Sequence, residues 1–274
     1  MPGTMAARRI GRGHGRGHAV TLAAALLLHA GTALAEPPPE PRIILGTTVG
    51  AQFVRDAFSQ HIPLRLHGEQ GEFAATYDVA AGLAHDFSAA VRAWGPLALG
   101  VELANFRKTT STAIEADVPH PVFLGFARRL TASVDDVVRR EQALHLQGQY
   151  WRELWGTLFV RFFGGPTLFR LRHDLVSGID AADGPTFDDV TLAGHRTVRQ
   201  SRADFGYNVG LDVSYFGLQR LGFFGSHEIL ERMALGFVVR YSQGTSAIQV
   251  SGGIVQPEYE LGGTHIGGGL RVAF

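Results

Sequence analysis

Residues Thr264–Phe274, THIGGGLRVAF, alternate strictly between two kinds of side chain. Thr264, Ile266, Gly268, Leu270, Val272 and Phe274 share one parity, and His265, Gly267, Gly269, Arg271 and Ala273 share the other. Successive side chains of a strand point to opposite faces, so a period of two is a strand signal. A strand that buries its apolar face in a water-soluble core rarely ends the chain on an aromatic residue. One whose apolar face meets lipid does so routinely, because aromatic side chains settle at the membrane boundary. The ending therefore implies a strand that spans a membrane.

The amino terminus is read the same way. Met1–His18 is a basic leader carrying Arg8, Arg9, Arg12 and Arg16, and Ala19–Leu28 is an apolar run with Thr21 its one polar side chain. Ala33-Leu34-Ala35 then supplies the small-x-small pattern that a signal peptidase reads. This order predicts a secretory signal peptide over residues 1–35, cleaved after Ala35. A transmembrane helix fits poorly, because His29 ends a run far short of the roughly 20 residues needed to span. Residues 36–42 begin EPPPEP and read as a Pro-rich periplasmic spacer, leaving 43–274 as the folded unit.

Composition narrows the class further. With no cysteine, a disulfide framework or a thiolate metal site is excluded. The 25 basic and 25 acidic side chains balance, and loss of the four leader arginines leaves 21 against 25, a formal charge of −4. That balance does not point to nucleic acid. No later stretch is long and apolar enough to be a spanning helix, so a membrane crossing would be made by strands.

Eight segments alternate over about the length a tilted barrel strand needs, roughly 9–11 residues. They are 43–53, 75–85, 97–104, 143–151, 157–163, 206–215, 235–242 and 264–274. In 97–104, for example, Leu97, Leu99, Val101 and Leu103 oppose Ala98, Gly100, Glu102 and Ala104. A soluble sandwich would put the apolar parity inside and the polar parity in water. Here the polar parity is rich in glycine and nearly free of lysine, which suits a cramped lumen better than a solvated face. Gly164-Gly165-Pro166 is expected to make a bulge or bend.

The connections 54–74, 107–142, 170–203 and 243–260 are long and polar, whereas 86–96 and 152–156 are shorter. That is the usual asymmetry of extracellular loops and periplasmic turns, and an even strand count puts both termini in the periplasm. The connection Gly217–Arg232 is long for a periplasmic turn, and its Ser226–Met233 stretch reads as a helical turn or two. The expected architecture is an all-β, eight-stranded antiparallel up-and-down transmembrane barrel with four longer extracellular loops.

Several pieces carry a family resemblance. They are Pro119-His120-Pro121, Arg140-Glu141 with His145-Leu146-Gln147, Phe163-Gly164-Gly165-Pro166 and His173-Asp174-Leu175-Val176. Gly206 to Val213, Arg240-Tyr241-Ser242, Gly262-Gly263 and Gly267 to Arg271 follow in order. Over residues 97–274 the chain resembles small, mostly uncharacterised bacterial outer-membrane β-barrel proteins of the OmpA/OmpW-like superfamily. The resemblance implies a barrel in the outer membrane, not an activity. Leu270, Val272 and Phe274 likewise resemble the C-terminal signal recognised by the barrel-assembly machinery during biogenesis.

Motifs for chemistry are sparse. His227-Glu228-Ile229-Leu230-Glu231 begins like a zinc-protease helix, but Glu231 stands where the second histidine ligand is required. Lipid A deacylases need a serine activated by a histidine. Ser226-His227 are adjacent, yet in a periplasmic connection. Asp135-Asp136 and Asp188-Asp189 each supply too few oxygens for calcium. No enzyme activity, cofactor or metal is expected.

Six charged residues carry lumen parity: Asp78, Glu102, Arg161, Asp212, Arg240 and Arg271. Three acids against three bases read as a neutralised plug, since eight strands enclose an interior just wide enough for side chains. Arg161 and Asp212 should sit at similar depth on neighbouring strands and pair directly. The expected function is a structural or interaction barrel that displays surface loops over a plugged lumen, monomeric, in contact with outer-membrane lipid and lipopolysaccharide. The alternative is a narrow channel for small or hydrophobic solutes; a lipid A-modifying enzyme is the third reading.

Overall fold

A computed structural model describes residues 41–54, 56–218, 228–249 and 255–274. The expected leader with Ala33 and Ala35, most of the Pro-rich spacer, and Ser226-His227 lie outside the described residues. Among the described residues ten strands are formed: β1 (Ile43–Phe53), β2 (Asp56–Leu66), β3 (Glu69–Val79), β4 (Gly82–Trp94) and β5 (Leu97–Pro119), then β6 (Ala127–Glu153), β7 (Leu158–Asp183), β8 (Val190–Tyr215), β9 (Met233–Gln249) and β10 (Val255–Ala273). A helical turn, α1 (Glu228–Glu231), sits in the expected helical stretch before β9.

Eight of these strands close into a ring. The order is β1-β4-β5-β6-β7-β8-β9-β10, with β10 pairing back onto β1 and every pairing antiparallel. The remaining two, β2 and β3, form a hairpin inserted between β1 and β4 and joined to β5 through Glu72–Thr76 against Ala113–Asp117. The turns have the chemistry their geometry needs. His67 and Gly68 both have positive φ (53° and 83°), the two-residue hairpin geometry that matches strand twist. Gly95, φ 52°, opens the Gly95-Pro96 turn between β4 and β5 at the end that carries the termini.

The barrel has two zones of opposite polarity. Near the termini, Leu45, Val49, Leu99, Leu103, Leu146, Val209, Phe237 and Leu270 point outward and are exposed, while Glu102, Arg161, Asp212, Arg240 and Arg271 point inward and are buried. An apolar exterior around a polar interior belongs to a membrane-spanning barrel. At the far end the pattern inverts. Phe73, Tyr77, Ile114, Val118, Leu130, Val134, Leu171, Leu175 and Ile179 fill the interior, while Glu115, Asp117 and Arg129 lie on the outside.

Two expectations are corrected by this inversion. Residues 75–85 are not one strand: the chain breaks at Ala80-Ala81, and the ring strand is β4, which runs on to Trp94. The stretches 107–142, 170–203 and 243–260 are largely ladder rather than loop, because β5–β9 and β10 continue well past the membrane zone. Strands β6 and β7, with 27 and 26 residues, far exceed the roughly 9–11 needed to span. The Gly164-Gly165-Pro166 interruption is one-sided. The β6–β7 ladder lapses between His145↔Thr167 and Gly148↔Gly164 without any change of register, so the segment makes no bulge, and β7 stays paired with β8 throughout.

The ring closes where the chain ends. Ile43 N–H donates to the Phe274 carbonyl at 3.0 Å, and Phe274 N–H donates to the Ile43 carbonyl at 2.8 Å. Above these bonds the two backbones approach so closely that a Cβ at Gly269 would overlap the Thr47 carbonyl, and one at Gly50 the Ile266 carbonyl. Phe274 itself is exposed at the rim of the apolar band. Phe274→Ala is expected to lower the yield of assembled barrel more than Ala273→Ser, scored as the fraction with shifted gel mobility before boiling. Equal yields would count against a role for the terminal aromatic residue.

Candidate functional site

The interior of the membrane zone is a ladder of buried polar groups in which carboxylates and guanidiniums are matched. Nearest the termini, Asp212 on β8 is fully buried and receives two arginines. Arg161 Nη2 donates to its Oδ2 at 2.8 Å, and Arg271 donates from Nε at 2.9 Å and Nη2 at 2.5 Å. Ser214 Oγ adds a bond to Oδ1 at 2.5 Å. Arg161 and Asp212 are direct cross-strand partners in the β7–β8 ladder, so their proximity is set by register. Arg271 also donates to the Thr47 and Leu270 carbonyls, which ties the cluster to the closing seam.

One level up, Arg240 on β9 meets Asp86 Oδ2 at 2.9 Å and also Glu102. His265 Nδ1 lies 3.0 Å from the same Asp86 oxygen. A chain of neutral polar side chains then crosses the lumen. Trp151 Nε1 donates to Gln149 (2.7 Å), Gln149 to Gln147 (2.9 Å), and Gln147 to Glu102 (3.3 Å) and Asn208 (3.4 Å). Asn208 in turn donates to Thr167, which bonds His145 Nδ1 at 2.7 Å.

Of the six lumen charges expected, five lie together in this ladder and one does not. Asp78 is on β3 in the far zone, exposed on the outer face. Its place is taken by Asp86, missed because the sequence reading ended that strand at His85. The alternation in fact continues, with Ala84, Asp86 and Ala90 inward and Leu83, Phe87 and Val91 outward. The balance of three acids and three arginines is thereby kept within the spanning zone.

A further cluster, not foreseen, caps the ladder at the zone boundary. Arg139 is fully buried, pairs with Asp56 and Glu141, and donates to the Glu260 carbonyl at 2.6 Å. Glu141 accepts from the Gly262 N–H at 2.9 Å and from Gln52 at 3.3 Å. The signal was present: Val137, Arg139, Glu141, Ala143 and His145 continue one inward parity along β6. Above them, Phe58, Tyr77 and Tyr259 surround the His173 ring at centroid distances of 5.8, 5.5 and 6.5 Å. Asp135-Asp136 form a bulge in β6, with Asp136 at φ 64°, and both are exposed.

Two outcomes are expected. Asp212→Ala leaves Arg161 and Arg271 facing each other without a counter-charge, and should cost about 3–5 kcal/mol in urea unfolding. Arg161→Ala leaves Asp212 bound to Arg271 and should cost clearly less. Adding Arg161→Ala to Asp212→Ala should add no further loss, and strictly additive losses would show that the residues are not coupled.

The second concerns His173, which burial and the nearby Arg139 charge push down to about 3, against a smaller opposing pull from Asp174. A histidine neutral in the folded barrel but protonated when unfolded contributes stability above about pH 6.5 and loses it as pH falls toward 3. The loss is about 1.4 kcal/mol per pH unit in that window. His173→Phe should flatten the dependence of the urea midpoint between pH 6.5 and 4; an unchanged slope would assign it to other groups.

No protein-family model and no curated protein matches this sequence. Among solved structures the chain is similar to Neisserial surface protein A, with TM-score 0.43 and 13% identity over 85% of this chain and 96% of that one. It is similar also to the outer membrane protein OprG from Pseudomonas aeruginosa, with TM-score 0.39 and 10% identity over 85% and 97%. A third is Ail, the attachment invasion locus protein of Yersinia pestis, with TM-score 0.35 and 9% identity over 84% and 99%. The barrel assignment rests on the closed ladder and on the polarity of its two faces.

Proposed function

We propose that this chain is a bacterial outer-membrane protein whose barrel is a sealed anchor for an extended extracellular β-wall, without enzymatic activity. The carrying observation is the buried, charge-neutral ladder from Asp212 through Arg240, Asp86 and Glu102, with the Arg139 cluster above it. An eight-stranded interior is just wide enough for side chains to fill, and buried paired charges of this kind support a lumen closed to ions. The long hairpins support an orientation with the far end outside the cell and the short turns, together with both termini, in the periplasm.

The wall ends in features suited to contact rather than transport. The connection between β5 and β6 exposes Val122, Phe123, Leu124 and Phe126, with Leu124 79% exposed. Clustered exposed apolar side chains mark interaction surfaces. A second reading, a lateral route for small hydrophobic solutes, is favoured by a cavity of about 550 Å³ in the wall. It lies where the β1–β10 ladder ends, between Val54, Ala80-Ala81 and Leu261-Gly262.

Planar-bilayer recording of the purified protein separates these readings. The sealed barrel should give no discrete conductance steps, and liposomes containing it should retain a small apolar dye as well as empty ones. Regular steps in the wild-type protein would replace the anchor reading with a channel; dye release without steps would favour the lateral route.

A further inference from the structure

The outer face carries an arginine terrace directly above the lipid-facing band. Arg107, Arg140 and Arg172 are consecutive cross-strand neighbours on β5, β6 and β7, and Arg170 lies beside Arg172 on the same face, opposite Gln142. Arg107, Arg140 and Arg170 are exposed and Arg172 is half-buried. Among the described residues none of the four has a carboxylate partner, although other exposed arginines do: Arg129 with Glu115, Arg196 with Asp180 and Arg199 with Asp174. The four line a groove of about 530 Å³ that Leu83 and His85 complete from β4.

Its position relative to the band is fixed by register. Leu103, Leu144 and Leu168 are the first apolar outward residues below, each two or four positions along its strand from an arginine of the terrace, with Asn105 and Gln142 between on β5 and β6. At roughly 3.3 Å per residue, the guanidiniums stand about 7–13 Å along the strands from the last apolar row. That is the depth of lipid headgroups rather than of bulk solvent. Four guanidiniums without carboxylate partners are suited to phosphate, which arginine binds through paired hydrogen bonds.

We propose that this terrace binds the phosphates of a phosphorylated glycolipid of the outer leaflet, the lipid A part of lipopolysaccharide, with its acyl chains lying down the leucine rows. The proposal rests on the outer-membrane orientation proposed above. Free phosphate shares the charge but not the apolar strip, so it should bind far more weakly.

The test uses the full-length barrel in detergent micelles, with bis-phosphorylated lipid A, dephosphorylated lipid A and inorganic phosphate as probes, and native mass spectrometry as readout. Bis-phosphorylated lipid A should be retained, with both other probes at least about tenfold weaker. The double variant Arg140→Gln/Arg172→Gln should lose about tenfold in retention, and Arg140→Lys/Arg172→Lys, which keeps the charge but not the paired hydrogen bonds, should retain more than the Gln pair but less than wild type. Arg129→Gln/Arg196→Gln, which removes the same charge elsewhere, should behave as wild type. Equal retention by wild type and the Gln pair, or of phosphorylated and dephosphorylated lipid, would overturn the proposal, as would inorganic phosphate binding as tightly as lipid A. Shifted gel mobility before boiling confirms that each variant is folded. Cell-envelope fractionation reports the membrane placement separately, so a barrel found in the outer membrane without this selectivity would remove the terrace alone.

Discussion

Everything in this fold follows from where apolar side chains can go on a wall that passes from lipid into water. Within the bilayer the outside must be apolar, so polar groups turn inward and must satisfy one another there. Beyond it the outside is water, and the interior becomes the only place to bury apolar groups. A strand that serves both zones must therefore invert its pattern. β5 does so without any change of backbone direction: Leu97, Leu99, Val101 and Leu103 face lipid on one parity, and Phe106, Ile114 and Val118 fill the interior on the other. β7 does the same at Leu168 and Phe169, which are adjacent residues facing opposite environments.

Other strands keep apolar residues on one parity and turn the backbone instead. Tyr77 and Val79 point inward on β3, while Leu83 and Phe87, of the same parity, point outward on β4. The Ala80-Ala81 break performs that reversal. On β6 the Asp135-Asp136 bulge moves the inward face from Leu130 and Val134 to Val137 and Arg139. Both devices leave the same result in space and different traces in sequence. Alternation read locally detects the first as the end of a strand and does not detect the second at all. This is why residues 75–85 read as one strand and 107–142 as a loop.

Most of the membrane zone was legible because its constraint is local. Lumen parity for Glu102, Arg161, Asp212, Arg240 and Arg271 follows from immediate neighbours, and the register that joins Arg161 to Asp212 is the one that keeps Phe162, Leu168, Tyr207 and Val209 on the outside. A slip of one residue would turn the charges into lipid, so the pattern itself specifies pairing. The partner of Arg240 was not legible in the same way. Asp86 reaches it across the lumen between residues 154 positions apart, a contact that depends on barrel closure. The Arg139 cluster and the arginine terrace share that origin, since each gathers side chains from several strands.

The charge ladder is better understood as specification than as a reserve of stability. Burying ions costs several kcal/mol each, and attraction between partners recovers little more than that cost. What the ladder does supply is a steep penalty for every misregistered ring, because Asp212 must meet two arginines from β7 and β10 at once. Arg271 extends that demand to the seam by also bonding the Thr47 carbonyl of β1, the first strand of the ring. A closed sheet has no free edge on which to correct a register error after closure. Because Asp212 on β8 binds arginines from β7 and β10, and Arg271 also binds β1, closure is conditional on the β7–β10 pairings being right.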